Sequence, residues 1–176
     1  TLIILEILKK HGILATFFCI GHKIQDQCKI IQRIIDEGHL IGNHSFTHHF
    51  FFDLKSEKEM IDELKQTNQT VIDCTGKEMK YFRPPYGVTN PNLAKAIKAT
   101  NLYSIGWSVR PMDTVAKSDK KLIASIVENL KSGDIIVLHD TSKITLRNLE
   151  QIIISIKSKG FCIVSLEQLL KIKAYA

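Results

Sequence analysis

Short apolar runs and amphipathic helices alternate six times along this chain, joined by brief connections, with no long polar linker between them. The apolar runs are Ile13 to Ile20, His39 to Gly42, Lys80 to Arg83, Leu102 to Val109, Ile135 to Leu138 and Phe161 to Val164. A run of this length, apolar on both faces and bounded by turn residues, reads as a buried strand. The helical stretches carry their own punctuation. Thr1 to Lys10 is closed by Gly12, and Asp26 to Glu37 by Gly38. Ser56-Glu57-Lys58-Glu59 has the form of a capping box and opens a long helix that ends near Gly76. Asn90-Pro91 starts the next helix. Helices over Ser118 to Lys131 and Thr145 to Lys159 follow, and Ser165 caps the last. Such alternation predicts βα units around a mainly parallel sheet. At 176 residues, without repeats or an internal linker, the expectation is a single domain over 1–176.

Composition narrows the classes of function. The formal charge is +6, yet the lysines are spread along the predicted helices. No basic cluster interleaved with aromatics argues for nucleic acid. No apolar run approaches the ~20 residues that span a bilayer, and no signal-peptide pattern is visible. The four cysteines have no metal spacing and do not read as a disulfide framework. Cys19 and Cys162 fall in apolar runs, as buried thiols do; Cys28 and Cys74 fall on predicted helices.

Polar and titratable residues recur at the carboxyl ends of the predicted strands. His44 and His48 follow the second strand, and Arg83 to Tyr86 the third. Trp107, Arg110 and Asp113 end or follow the fourth, and His139 and Asp140 end the fifth. In parallel α/β architectures these ends share one face, where active sites are found. Neutral imidazole is a good ligand for zinc and similar ions, and two histidines four apart converge if the chain turns after the strand. Ser45 stands where a metalloprotease HExxH motif has its glutamate, so that chemistry is excluded.

In their order, these motifs resemble those of the polysaccharide deacetylases, the NodB-type domain of carbohydrate esterase family 4. His44-Ser45-Phe46-Thr47-His48 resembles the H-S/T-x-x-H metal motif, and Arg83-Pro84-Pro85-Tyr86-Gly87 the R-x-P-Y motif. Trp107 with Asp113 resembles a loosely defined fourth motif, and Ile136 to Asp140 the L-x-H motif. The resemblance implies a distorted (β/α) barrel and metal-dependent removal of an acetyl group, mostly from nitrogen, from an acetylated polysaccharide or oligosaccharide such as chitin oligomers or peptidoglycan. It implies a divalent cofactor, zinc above all, held by His44 and His48. His139 would be the general acid, oriented by Asp113. The Tyr86 N–H would hold the oxyanion. Arg83 or Arg110 would orient a base, and Trp107 and Leu138 would line the acetyl pocket. A secreted or cell-envelope location follows from the same resemblance.

One departure is marked. The family's first motif, T-F-D-D, supplies a base and a metal-binding carboxylate from the first strand. It has no counterpart among these residues, which open on the helix that follows it. The expectation is a domain incomplete at its N-terminus, with the first strand missing. The alternative is an inactive carbohydrate-binding or regulatory relative.

Overall fold

A computed structural model describes residues 1–176. In chain order the elements are α1 (Leu2–His11), β1 (Thr16–Cys19), α2 (Gly21–Ile24), α3 (Cys28–Asp36), β2 (Leu40–Asn43) and α4 (Glu57–Thr75). They continue as β3 (Tyr81–Phe82), α5 (Pro91–Ala99), β4 (Tyr103–Ser104), α6 (Asp119–Val127), α7 (Lys143–Ser158) and α8 (Leu166–Leu170). The chain groups into two compact units. The first is Thr1–Leu14 with Trp107–Val164, and the second is Ala15–Gly106 with Ser165–Ala176.

The second unit holds a four-stranded sheet in the order β1-β2-β3-β4, parallel at every pairing. Leu40 to Asn43 are all buried, which is why Leu40 to Gly42 is apolar without alternation. Phe52, Met60, Leu64, Phe82, Leu93, Ala96 and Leu102 form one core cluster, bringing α4 and α5 against the sheet. Each of these side chains other than Ala96 stabilises the fold by about 1.5–3 kcal/mol on burial. The capping box at Ser56 forms in full: its hydroxyl accepts from the Glu59 N–H while the Glu59 side chain accepts from the Ser56 N–H. A second capping box, Ser165 with Gln168, starts α8.

In the first unit, α6 and α7 pack through Leu122, Ile126, Val127, Ile144, Ile152 and Ile156. The helix expected to run to Lys131 stops at Val127, whose carbonyl takes a hydrogen bond from the Lys159 ammonium at 2.6 Å. An acceptor satisfied in this way does not need another helical turn. The Ser142 hydroxyl accepts from the Thr145 N–H, so α7 begins at Lys143, two residues earlier than its apolar pattern.

Two strand expectations are corrected. Ile135 to Leu138 contributes one isolated parallel bridge, Val109 with Ile136, and Phe161 to Val164 forms no ladder. An apolar run becomes a strand only where a partner offers a continuous row of N–H and C=O groups. The α/β class with a parallel sheet therefore holds, with four strands in the sheet. The cysteine reading is also corrected. Cys28 and Cys74 are disulfide-bonded across 46 residues, joining the start of α3 to the end of α4 with their Cα atoms 5.2 Å apart. No sequence spacing announces such a pair. Cys19 is a half-buried thiol outside any disulfide, whereas Cys162 is exposed, because its run lacks the sheet that would cover it.

Candidate functional site

In the second unit the site begins where β2 ends. The Asn43 side chain is fully buried and ties three segments together. Its Oδ1 accepts from the Ser45 N–H at 2.9 Å; its Nδ2 donates to the Leu64 carbonyl at 2.8 Å and to Asn68 Oδ1 at 3.0 Å. This Asx turn takes the chain off the strand. Ser45 and His48 then adopt left-handed backbone, with φ of 60° and 50°, and the Ser45 hydroxyl accepts from the His48 N–H. A non-glycine residue in that region is strained, and such strain gathers where a side chain must be aimed. Here it brings the His44 and His48 rings together, with centroids 4.7 Å apart.

His44 Nδ1 lies 2.7 Å from the Arg83 carbonyl. A carbonyl can only accept, so Nδ1 carries the proton and the lone pair is on Nε2. Metal-binding imidazoles are oriented by just such a bond on their other nitrogen. The histidine pair therefore fits a zinc-like ion as two of its ligands. No third histidine, cysteine or carboxylate of these 176 residues joins them.

Arg83 is buried at the end of β3. Its Nε and Nη2 donate to the carbonyls of Ile105 and Gly106 at 3.1 and 2.9 Å, and its guanidinium lies 4.1 Å from the centroid of the Phe18 ring. Burial pushes it down to about 10, which leaves it charged at neutral pH. Phe18 pairs across the sheet with Gly42, and its ring covers that glycine so closely that a Cβ there would come within 2.5 Å of it. Tyr86 has φ of 57° and an exposed side chain, with its ring 4.9 Å from that of His48.

A carboxylate that sequence reading missed holds this loop. Glu63 of α4 is buried and accepts from the N–H groups of Phe46 and Thr47, both at 3.0 Å, from the Thr47 hydroxyl at 2.7 Å and from the Lys55 ammonium. Burial would raise its carboxyl, but Lys55 and the Thr47 donors outweigh it and hold it below the usual range. Glu63 looks like any charge on an amphipathic helix; only its being on the apolar side, beside Leu64, hinted at a partner.

In the first unit the structure brings His139 and Asp113 together. Asp113 is 2% exposed. Its Oδ1 is 2.8 Å from His139 Nδ1, and its Oδ2 accepts from the His139 N–H at 2.8 Å and from the Thr145 hydroxyl at 2.6 Å. The Ser142 hydroxyl donates to the Asp113 carbonyl. Burial would raise the Asp113 carboxyl, but the bonds from the His139 ring, Thr145 and the His139 N–H prevail and hold it below the ordinary 3.8. Thr145 and Ser142 were not singled out by sequence because they sit in the cap of α7. Elsewhere in this unit, the Arg110 guanidinium lies 5.5 Å from the centroid of the half-buried Trp107 ring, and Leu138 packs on the α6–α7 core.

The depressed Asp113 carboxyl has a consequence for stability. Its contribution is present above the unfolded value near 3.8 and is lost as pH falls through the lower folded value. The thermal midpoint of the native protein should exceed that of Asp113→Asn by a constant margin from about pH 7 to about pH 5, and the margin should narrow on further acidification. A margin independent of pH down to the acid transition would contradict the hydrogen-bonded, ionised carboxylate.

The polysaccharide deacetylase family matches residues 1–105. The chain is 35% identical over 171 residues to the peptidoglycan-N-acetylmuramic acid deacetylase PdaA of Bacillus subtilis, covering 95% of this chain and 65% of that protein. The chain thus spans less than two thirds of that relative's length. Among solved structures, a family 4 carbohydrate esterase from Streptomyces lividans in complex with acetate superposes with a TM-score of 0.88 at 27% identity, covering 100% of this chain and 89% of that one. A CE4 family pseudoenzyme from Bacillus anthracis superposes with a TM-score of 0.87 at 28% identity, over 96% of this chain and 59% of that one. With the family match extending through the histidine loop and the Arg83 to Gly87 turn, this chain belongs to the polysaccharide deacetylase family.

Proposed function

We propose that this protein hydrolyses N-acetyl groups on an acetylated glycan of the peptidoglycan or chitin-oligomer type, at the cell envelope. The relatives' names give the substrate class. The observation that carries the chemistry is the His139 ring, 45% exposed, held through Nδ1 by a buried carboxylate. Such a partner fixes the ring with Nδ1–H toward the carboxylate and Nε2 outward, the nitrogen through which a general acid exchanges its proton with substrate. In this reading His139 delivers its proton to the leaving amine nitrogen, and Asp113 and Thr145 keep the ring aimed. The Tyr86 N–H stabilises the negative charge that develops on the acetyl oxygen. Arg83 acts through charge, from a buried and fixed position. Trp107 and Leu138 offer apolar surface to the acetyl methyl, and Arg110 covers Trp107. His44 and His48 would hold a zinc-like ion, which supplies Lewis-acid polarisation of the acetyl carbonyl and a more acidic water.

A two-imidazole set is one protein ligand short of the usual three for catalytic zinc. Zinc binding by these 176 residues is therefore expected to be weak and to need both rings. His44→Ala and His48→Ala should each abolish zinc uptake measured by equilibrium dialysis and elemental analysis. Equal metal content in the native protein and both variants would remove the assignment. A second reading, a glycan-binding relative without catalysis, is favoured by the likeness to a pseudoenzyme. Acetate release from N-acetylchitotetraose or from peptidoglycan separates the two: release supports hydrolysis, and glycan binding without release supports the second reading.

A further inference from the structure

The run Phe50-Phe51-Phe52 divides sharply. Phe52 is 1% exposed and anchors in the core, while Phe50 and Phe51 are 66% and 54% exposed. The exposed pair is not scattered surface. Phe50 packs edge-on against Phe51 with centroids 4.9 Å apart, and against Tyr86 at 5.5 Å. Tyr86 in turn lies 4.9 Å from His48, which lies 4.7 Å from His44. An unbroken series of rings therefore runs from open solvent to the histidine pair.

The segment that carries the two phenylalanines is also fixed at both ends by one group. Glu63 takes the N–H groups of Phe46 and Thr47 before it and the Lys55 ammonium after it. Between these ties, the Phe51 N–H donates to His49 Nδ1 at 3.1 Å and the Phe52 N–H to the His49 carbonyl at 3.0 Å. Rings held out in water by a clamped loop bear a hydration cost that only a covering partner removes.

We infer that Phe50 and Phe51, with Tyr86, form a stacking platform for a hexosamine ring of the glycan adjoining the residue held at His44 and His48. The inference rests on the glycan reading above and adds the place where the chain is gripped. The occupant follows from the chemistry. A pyranose presents a flat face of C–H groups and an equatorial rim of hydroxyls. It can cover aromatic faces while its rim stays hydrated, which suits a small, ring-only patch on a polar loop. A protein partner would need a larger apolar area than two rings and a tyrosine offer. Two-ring stacking gives binding without a fixed pattern of hydrogen bonds, so the platform reads a ring's face rather than its substituents.

The test is titration of the 176-residue chain, by isothermal calorimetry and by saturation-transfer NMR, with N-acetylchitotetraose as the probe. Phe50→Ala and Phe51→Ala should each raise Kd by roughly fivefold to tenfold, and the double variant by more. The sugar C–H protons should receive saturation from the aromatic envelope, and this transfer should vanish in the double variant. The thermal midpoint should stay within a degree or two, since both rings are exposed. Kd unchanged in the double variant overturns the platform, as does a native chain that binds no oligosaccharide. Self-association of the native chain that disappears in the double variant also overturns it, by showing that a second copy covers the rings. Failure of the hydrolase reading looks different: tetraose binding that depends on Phe50 and Phe51, with no acetate released, keeps the platform and removes the hydrolysis.

Discussion

In a form of the protein that releases acetate from N-acetylchitotetraose or peptidoglycan, His139→Ala lowers kcat by ~10²–10⁴-fold and leaves zinc content unchanged. The range is that of a positioned general acid. The geometry gives a reason to expect a purely chemical effect. The His139 ring is half in solvent, and its removal opens no cavity. Asp113 keeps the Thr145 hydroxyl and the residue-139 N–H as donors when the ring is gone, so the buried carboxylate is not stranded. Asp113→Asn provides the contrast. An amide at 113 offers one acceptor oxygen where the carboxylate offers two, so the His139 ring competes with the residue-139 N–H and the Thr145 hydroxyl and is aimed less firmly; kcat falls with metal content retained. Rates for His139→Ala within a factor of two of native would end its assignment as acid.

Phe82→Ala destabilises the protein by about 3–5 kcal/mol, the range for deleting a buried aromatic from a packed core. Phe82 is fully buried on β3, among Phe52, Met60, Leu64 and Leu93. Its N–H and C=O lie in the sheet, and its carbonyl accepts from the Ile105 N–H at 2.7 Å. The cavity therefore sits beneath the strand that ends at Arg83 and cannot be closed by moving a loop. Urea unfolding of the native protein and the variant gives the difference directly. A loss below about 1 kcal/mol would mean that α4 and α5 collapse into the space, and that the core is looser than its burial indicates.

Much of the second unit could be read from the order of residues. Leu40 to Gly42 is apolar, and the strand it starts is buried through Asn43. Ser56 with Glu59 spelled out a capping box, and that box forms. Gly76, and Gly12 in the first unit, end their helices in left-handed backbone, a conformation that glycine adopts without a steric penalty. Strand existence was less legible in Ile135 to Leu138 and Phe161 to Val164, because a ladder is a property of two segments and apolarity belongs to one. The Cys28–Cys74 bond was invisible for the same reason: it depends on how α3 and α4 pack.

The site shows a similar division. Histidine, arginine and aspartate at strand ends were visible as types in places. His44 with His48, and His139 with Asp113, are indeed neighbours in space. What could not be seen was the support. Asn43, Glu63, Ser142 and Thr145 work through bonds to backbone or to another side chain, and no spacing rule marks them. The left-handed backbone of Ser45, His48 and Tyr86 runs against local preference, and so no propensity argument would place it there.

The pairing of Phe18 with Gly42 carries a consequence for how such sequences can diverge. Any side chain at 42 would occupy the space of the Phe18 ring, and that ring is the surface on which the Arg83 guanidinium lies. Positions 18 and 42 are thus sterically coupled. Alanine at 42 requires the Phe18 ring to shift or a smaller residue at 18, and either change disturbs the face beneath the arginine. Change at a buried glycine is in this way confined by a charge at the end of the neighbouring strand.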